Sequence, residues 1–180
     1  PKRPVTTEQS ARAIREQNGG PEYLLVDGYN IIFAWEELKR TAKENLDAAR
    51  QKLMDLLSDY QGMKGCRVIL VFDAYRVKGG RGSVEKYHNI HVVYTREAET
   101  ADAYIEKTTY ELGKEYRVRV ATSDGVEQII ILGHGALRLS ARAFRQEVEQ
   151  AMGELARFLS GERRRGSQSL KEAYREAEKR

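Results

Sequence analysis

Three short runs of apolar β-formers in this chain each stop on an aspartate. Leu24-Leu25-Val26 stops at Asp27, and Val68-Ile69-Leu70-Val71-Phe72 stops at Asp73. Val118-Arg119-Val120-Ala121-Thr122-Ser123 stops at Asp124. Near-continuous Val/Ile/Leu runs mark parallel strands buried on both faces. Parallel neighbours need crossover connections, usually helical. The pattern therefore predicts an α/β fold whose acids gather at the carboxyl ends of its strands, where open α/β sheets bind ligands.

The intervening segments fit. Strands are expected at about 23–27, 67–72, 91–94 and 117–122, with a last short one at 136–139. A helical pattern at about 43–60 sets Leu46, Ala49, Leu53, Leu56 and Tyr60 on one face, closed by Gly62 and Gly65. A helix at about 101–115 turns Ile105, Thr108 and Leu112 inward. A short one at about 125–131 follows the capping-box-like pair Asp124 and Glu127. Ser140 caps a long helix with Ala141, Phe144, Val148, Ala151, Leu155 and Phe158 on its inner face. No solenoid period recurs.

At 180 residues the chain can bury roughly 70% of its unfolded surface without disulfide staples. Cys66 is the only cysteine, so no disulfide partner exists within the chain, and a reducing, cytoplasmic setting is expected. No apolar stretch reaches membrane-spanning length. The net charge of +4 divides unevenly: residues 1–20 carry +2 and residues 161–180 carry +3, leaving −1 for 21–160. The basicity is thus concentrated in the tails. The expected organisation is a flexible leader at 1–20, an α/β domain at 21–160, and a basic tail, partly helical or disordered, at 161–180.

Asp27, Asp73 and Asp124 end strands, and Asp102 opens a helix in Glu99-Thr100-Ala101-Asp102. Four acids at one edge repel unless a cation neutralises them. Mg²⁺ and Mn²⁺ suit such oxygen donors, and such ions activate water and stabilise a phosphodiester transition state. Asn30 can orient a water or a phosphate. Each acid also reads as a turn residue or helix cap. Asp124 suits that role, and Asp73 reads equally as the residue that launches the following loop. There is no Walker motif and no Asp-x-Asp after the first strand. His88, His91 and His134 have no zinc-like spacing to Cys66.

The blocks Val26-Asp27-Gly28-Tyr29-Asn30, Val71-Phe72-Asp73-Ala74, Glu99-Thr100-Ala101-Asp102 and Thr122-Ser123-Asp124 occur in this order. Together with Val126-Glu127-Gln128 and Leu139-Ser140-Ala141-Arg142, they resemble the NYN domain, specifically its bacterial YacP branch. The resemblance covers about 22–158. It implies a PIN-like three-layer α/β/α fold with a central parallel sheet, and a divalent-metal-dependent endoribonuclease. It also implies Asp27, Asp102 and Asp124 as metal-holding catalytic acids with Asn30 beside them, and mRNA cleavage associated with the ribosome.

An acidic site repels RNA, so cations must flank it. The glycine-rich stretch after the second strand offers Arg76, Lys78, Arg81 and Lys86, with Tyr75 and Tyr87 able to stack on unpaired bases. Tyr29 and Trp35 read as packing residues. The expectation is an endoribonuclease cleaving single-stranded RNA. A non-catalytic RNA- or ribosome-binding module and a small-molecule phosphohydrolase are the alternatives.

Overall fold

The computed structural model describes residues 22–74, 81–123 and 136–178. Among them are six strands and five helices. In chain order these are β1 (Tyr23–Asp27), α1 (Gly28–Ala34), α2 (Glu36–Glu44), α3 (Leu46–Lys64), β2 (Arg67–Phe72), β3 (Arg81–Tyr87), β4 (Ile90–Arg96), α4 (Ala101–Gly113), β5 (Val118–Ala121), β6 (Leu137–Leu139) and α5 (Ala141–Glu178). The sheet order is β3-β4-β2-β1-β5-β6. All neighbours pair in parallel except β3, which runs antiparallel to β4.

β1 sits at the centre, with Val26 opposite Leu70 of β2 on one side and Ala121 of β5 on the other. Leu24, Leu25 and Val26 are fully buried, so this strand needs apolar cover on both faces. Leu24 and Val26 join a core with Ile31, Leu53, Leu57 and Phe144 from α1, α3 and α5. Leu25 joins a second core with Val71, Val93, Val120 and Ile105 of α4. Alternate side chains thus face opposite layers, giving the three-layer α/β/α arrangement. No helix among the described residues is long and apolar enough to cross a membrane.

The helical segment expected at 43–60 is two helices. Asn45 separates them, accepting the Ala48 N–H at 3.1 Å as the cap of α3. Gly65, at φ 71°, closes α3 in the left-handed conformation that glycine adopts freely, whereas Gly62 lies inside the helix. α2 has a single buried residue, Leu38, so it leaves no apolar stripe to read. The short helix expected at 125–131 lies outside the described residues, as does the leader.

The larger correction concerns the segment after β2, read from sequence as a basic loop. Its second half, Arg81–Tyr87, is the edge strand β3. Edge strands are commonly polar and carry lysine, which blunts further pairing, so this one shows no apolar run. Gly82 has φ 72°, and a Cβ there would lie 2.8 Å from Arg96 Cγ. α5 also differs from expectation at its outer end. Its stripe seals the core through Ala151, but Phe158 is 60% exposed, and the helix runs on to Glu178.

A polar cluster ties the amino-terminal edge of the sheet to α3 and α5. Arg119 of β5 pairs with Glu22 and with Glu147, the latter at 2.8 Å, and donates to the Tyr60 hydroxyl at 3.3 Å. Tyr60 in turn donates to Glu147 at 3.0 Å. Burial opposes the charge on Arg119, but hydrogen bonding to Glu147 and the Glu22 charge outweigh it, raising its pKa. Burial is also the main reason that the Tyr60 phenol lies well above its ordinary value of 10.0.

Two outcomes are expected. Gly28→Ala would place a Cβ 2.4 Å from Phe72 Cε1 and 3.0 Å from the Val71 carbonyl. Overpacking of this kind costs about 1–3 kcal/mol, measurable as a lower denaturant midpoint with an unchanged slope. Tyr60, raised in the folded state, contributes stability that is intact below pH 10 and falls as the pH climbs from there toward its folded pKa. Denaturation followed between pH 8 and 12 should show that decline, and Tyr60→Phe should flatten it.

Candidate active site

The connection from β1 goes to β2, whereas β5 lies on the other side of β1. The chain thus reverses direction beside the carboxyl end of β1, where open α/β sheets form their ligand crevice. Asp27 ends that strand. It is buried, at 6% exposure, and caps α1 with Oδ1 accepting the Asn30 N–H at 3.5 Å. Gly28 leaves room for Phe72 directly behind it.

Two residues along from Leu25, Asp27 falls on the α4 side of the sheet. Asp73, two residues along from Val71, falls on that side as well. Asp73 Oδ2 accepts the Ala101 N–H at 3.3 Å. This bond pins the start of α4 to the end of β2. Thr100 completes the start of the helix, its Oγ1 accepting from Ala103 N–H at 3.1 Å. Asp102 then lies in the exposed first turn of α4, at the same edge. A helix amino terminus favours nearby acids, which offsets part of the cost of gathering them.

Asn30 spans from α1 to the end of β5. Its Oδ1 accepts the Ser123 N–H at 2.6 Å and contacts the Ser123 hydroxyl. This link holds the ends of β1 and β5 together, and Asp124 is the next residue. Thr95, buried at the end of β4, accepts the Ala74 N–H at 3.0 Å. The sequence places Ser123 only in the block Thr122-Ser123-Asp124, with no role of its own, and does not mark Thr95. The signal for Ser123 was its place beside Asp124, while a threonine ending a strand carries none.

Asp124, Tyr75, Arg76, Lys78 and His134 lie outside the described residues. Among the described residues, no group of three or more His, Cys, Asp or Glu could by itself hold a metal ion. Asp27, Asp73 and Asp102, though all described, thus do not by themselves form the expected metal site, and Asp124, the fourth acid expected there, lies outside the described residues. Of the cations expected to flank the acids, Arg81 begins β3 opposite Arg96, level with the carboxyl end of β4. Lys86 pairs with His91 near the other end. That is five residues, about 17 Å, down the strand, so Lys86 stands apart from the acid edge. Tyr87 is engaged too, its hydroxyl bonded to Gln51 and Asp55 of α3. Tyr29 and Trp35 are core residues, and Trp35 Nε1 donates to the Ala141 carbonyl at 2.8 Å.

The profile of the YacP-like NYN domain matches residues 24–180. The chain belongs to that family. It is 46% identical to YacP of Bacillus subtilis (strain 168) over 129 residues, 71% of this chain and 75% of the relative. The crystal structure of Rae1 (YacP) from Bacillus subtilis matches with a TM-score of 0.67 at 41% identity, covering 83% of this chain and 88% of that one. A single-substitution variant of the same protein matches at 0.66 and 42% identity, with 76% and 80% covered. As in the NYN fold generally, the chain has a nuclease-like architecture, and the opening motif Asp27-Gly28-Tyr29-Asn30 stands at its central strand end.

The Asp73 bond predicts a local effect. Asp73→Ala should speed hydrogen exchange at the Ala101 amide and cost about 1 kcal/mol, the usual worth of a capping carboxylate. Asp73→Asn, which keeps an acceptor, should restore much of the protection.

Proposed function

We propose that this chain is a divalent-metal-dependent endoribonuclease acting on single-stranded RNA, with mRNA at the ribosome as the substrate that its family resemblance suggests. The observation that carries the reading is Asp27: a buried carboxylate at the end of the central strand, at the point where the chain reverses direction. Asp102 at the start of α4, and Asp124 following Ser123, add oxygen donors of the hard kind that Mg²⁺ and Mn²⁺ prefer.

In this reading Asp27, Asp102 and Asp124 hold the ions. Asp73 serves chiefly to set α4, and with it Asp102, in place. Asn30 Oδ1 is occupied by Ser123, which leaves the side-chain Nδ2 as a donor toward a phosphate oxygen. When bound, the metal supplies an activated water and charge stabilisation for phosphodiester hydrolysis. The nuclease-like fold of the family supports this assignment over a small-molecule phosphohydrolase.

Asp27→Asn keeps the size of the side chain and removes its charge. Incubated with a mixed RNA pool and Mg²⁺ or Mn²⁺, the intact chain should give internal cuts. The variant should lose them by a factor of about 10²–10³, the order expected when a group stabilising the transition state is removed, with its thermal midpoint largely kept. Equal cleavage by both would reject the assignment. RNA binding without cleavage by the intact chain would favour the non-catalytic module.

A further inference from the structure

A groove of about 350 Å³ lies between the β3–β4 hairpin and α4. Its walls include Gly82 and Ser83 of β3, Thr95 and Arg96 of β4, and Tyr104 and Lys107 of α4. We infer that this groove seats one unpaired nucleotide of an RNA strand beside the acid edge, with Arg96 and Lys107 holding its phosphates. The inference rests on the nuclease reading for the role of the neighbouring acids, but not for the binding itself.

Position comes first. β4 pairs with β2 so that Phe72 faces Tyr94. Thr95 and Arg96 therefore stand level with Asp73 and Ala74, and the Ala74–Thr95 hydrogen bond locks that alignment. On the far wall, the Asp73–Ala101 bond fixes where α4 begins. Both walls thus start at the acid edge. The groove leads away from it along α4, and Lys107 lies about 9 Å of helix rise beyond Ala101. A strand with a phosphate at the acids can continue only along a surface that accepts its next phosphates.

Charge comes second. Residues 21–160 carry a net −1, so the domain as a whole does not attract a polyanion and only a local grouping of cations can. Arg96 and Lys107 are both exposed and make no ion pair among the described residues. Two cations that line one groove and make no ion pair among the described residues suit a polyanion. The third charged group of the lining is Glu99. It repels phosphate from its own corner and accepts hydrogen bonds from a base amino group.

Size and shape come third. The groove's volume lies at the low end of ligand sites, which suits one nucleotide rather than a duplex. Tyr104 is half-buried against the α4-side core, so its ring is held while lining the groove, and held aromatic rings are the usual platforms for unpaired bases. Gly82 contributes by omission. With no Cβ, it lets the stem of Arg96 lie against β3.

The test measures binding apart from cleavage. A labelled eight-nucleotide single-stranded RNA of mixed sequence is titrated with the full chain in EDTA, and anisotropy is followed at several salt concentrations. The double variant Arg96→Gln/Lys107→Gln should bind about tenfold or more weakly, and its salt slope should fall by about 1.4, two phosphate contacts at about 0.7 each. Its thermal midpoint should stay within a few degrees. Arg163→Gln/Arg164→Gln on the outer part of α5, an equal loss of charge elsewhere, should change the affinity less than about twofold. Unchanged affinity and slope in the groove variant, or no RNA binding by the intact chain, would overturn the inference. Cleavage by the intact chain is scored separately in Mg²⁺ or Mn²⁺. Groove-dependent binding without any cleavage rejects the nuclease reading alone, and cleavage with groove-independent binding rejects the groove alone.

Discussion

The parallel pairing of β1 with β2 and β5 is the constraint on which the rest of the molecule depends. A strand paired on both edges and buried on both faces has no side open to water, so Leu24, Leu25 and Val26 demand a helical layer above and below. Side-chain polarity can enter only where the strand stops. Asp27 is that first position. The location of the acidic edge is therefore a consequence of how thoroughly the strand before it is buried.

Three tethers convert this edge into a defined crevice. Asp73 fixes α4 to β2, Asn30 fixes α1 to β5, and Thr95 fixes β4 to the turn after β2. Each uses a side chain to satisfy a backbone N–H at the border of a strand or helix, so the same bonds that complete the fold also shape this edge. Asp27 and Asp73 each lend an oxygen to a helix start, but Asp27 caps the helix that follows it directly, α1, whereas Asp73 reaches α4, a helix distant in sequence.

The buried parallel strands were legible because burial on both faces writes an unbroken apolar run. Strands β1 and β2 fall at the residues expected, and α4 and α5 begin within a residue of their caps. α2 was illegible because a helix with one buried residue has no stripe, and β3 because an edge strand is free to be polar. Asp27, Asp102 and Asn30 could be nominated from sequence, since polar residues at strand ends and helix starts are conspicuous. Thr95 and the groove beside it could not. Their meaning depends on the alignment of β4 with β2, and no local pattern encodes that alignment.

The Asn30–Ser123 link joins residues 93 positions apart, and that separation has a temporal side. As the chain is synthesised from its amino terminus, Asp27 and Asp73 can be brought to one edge once β2 has emerged. Asp102 follows with α4. The last wall waits for β5, because only then does Asn30 find its partner. Contacts of such long sequence separation form late and slowly. An incomplete chain would thus carry the first acids but not the closed crevice, and any activity seated there would be withheld until most of the protein has been made.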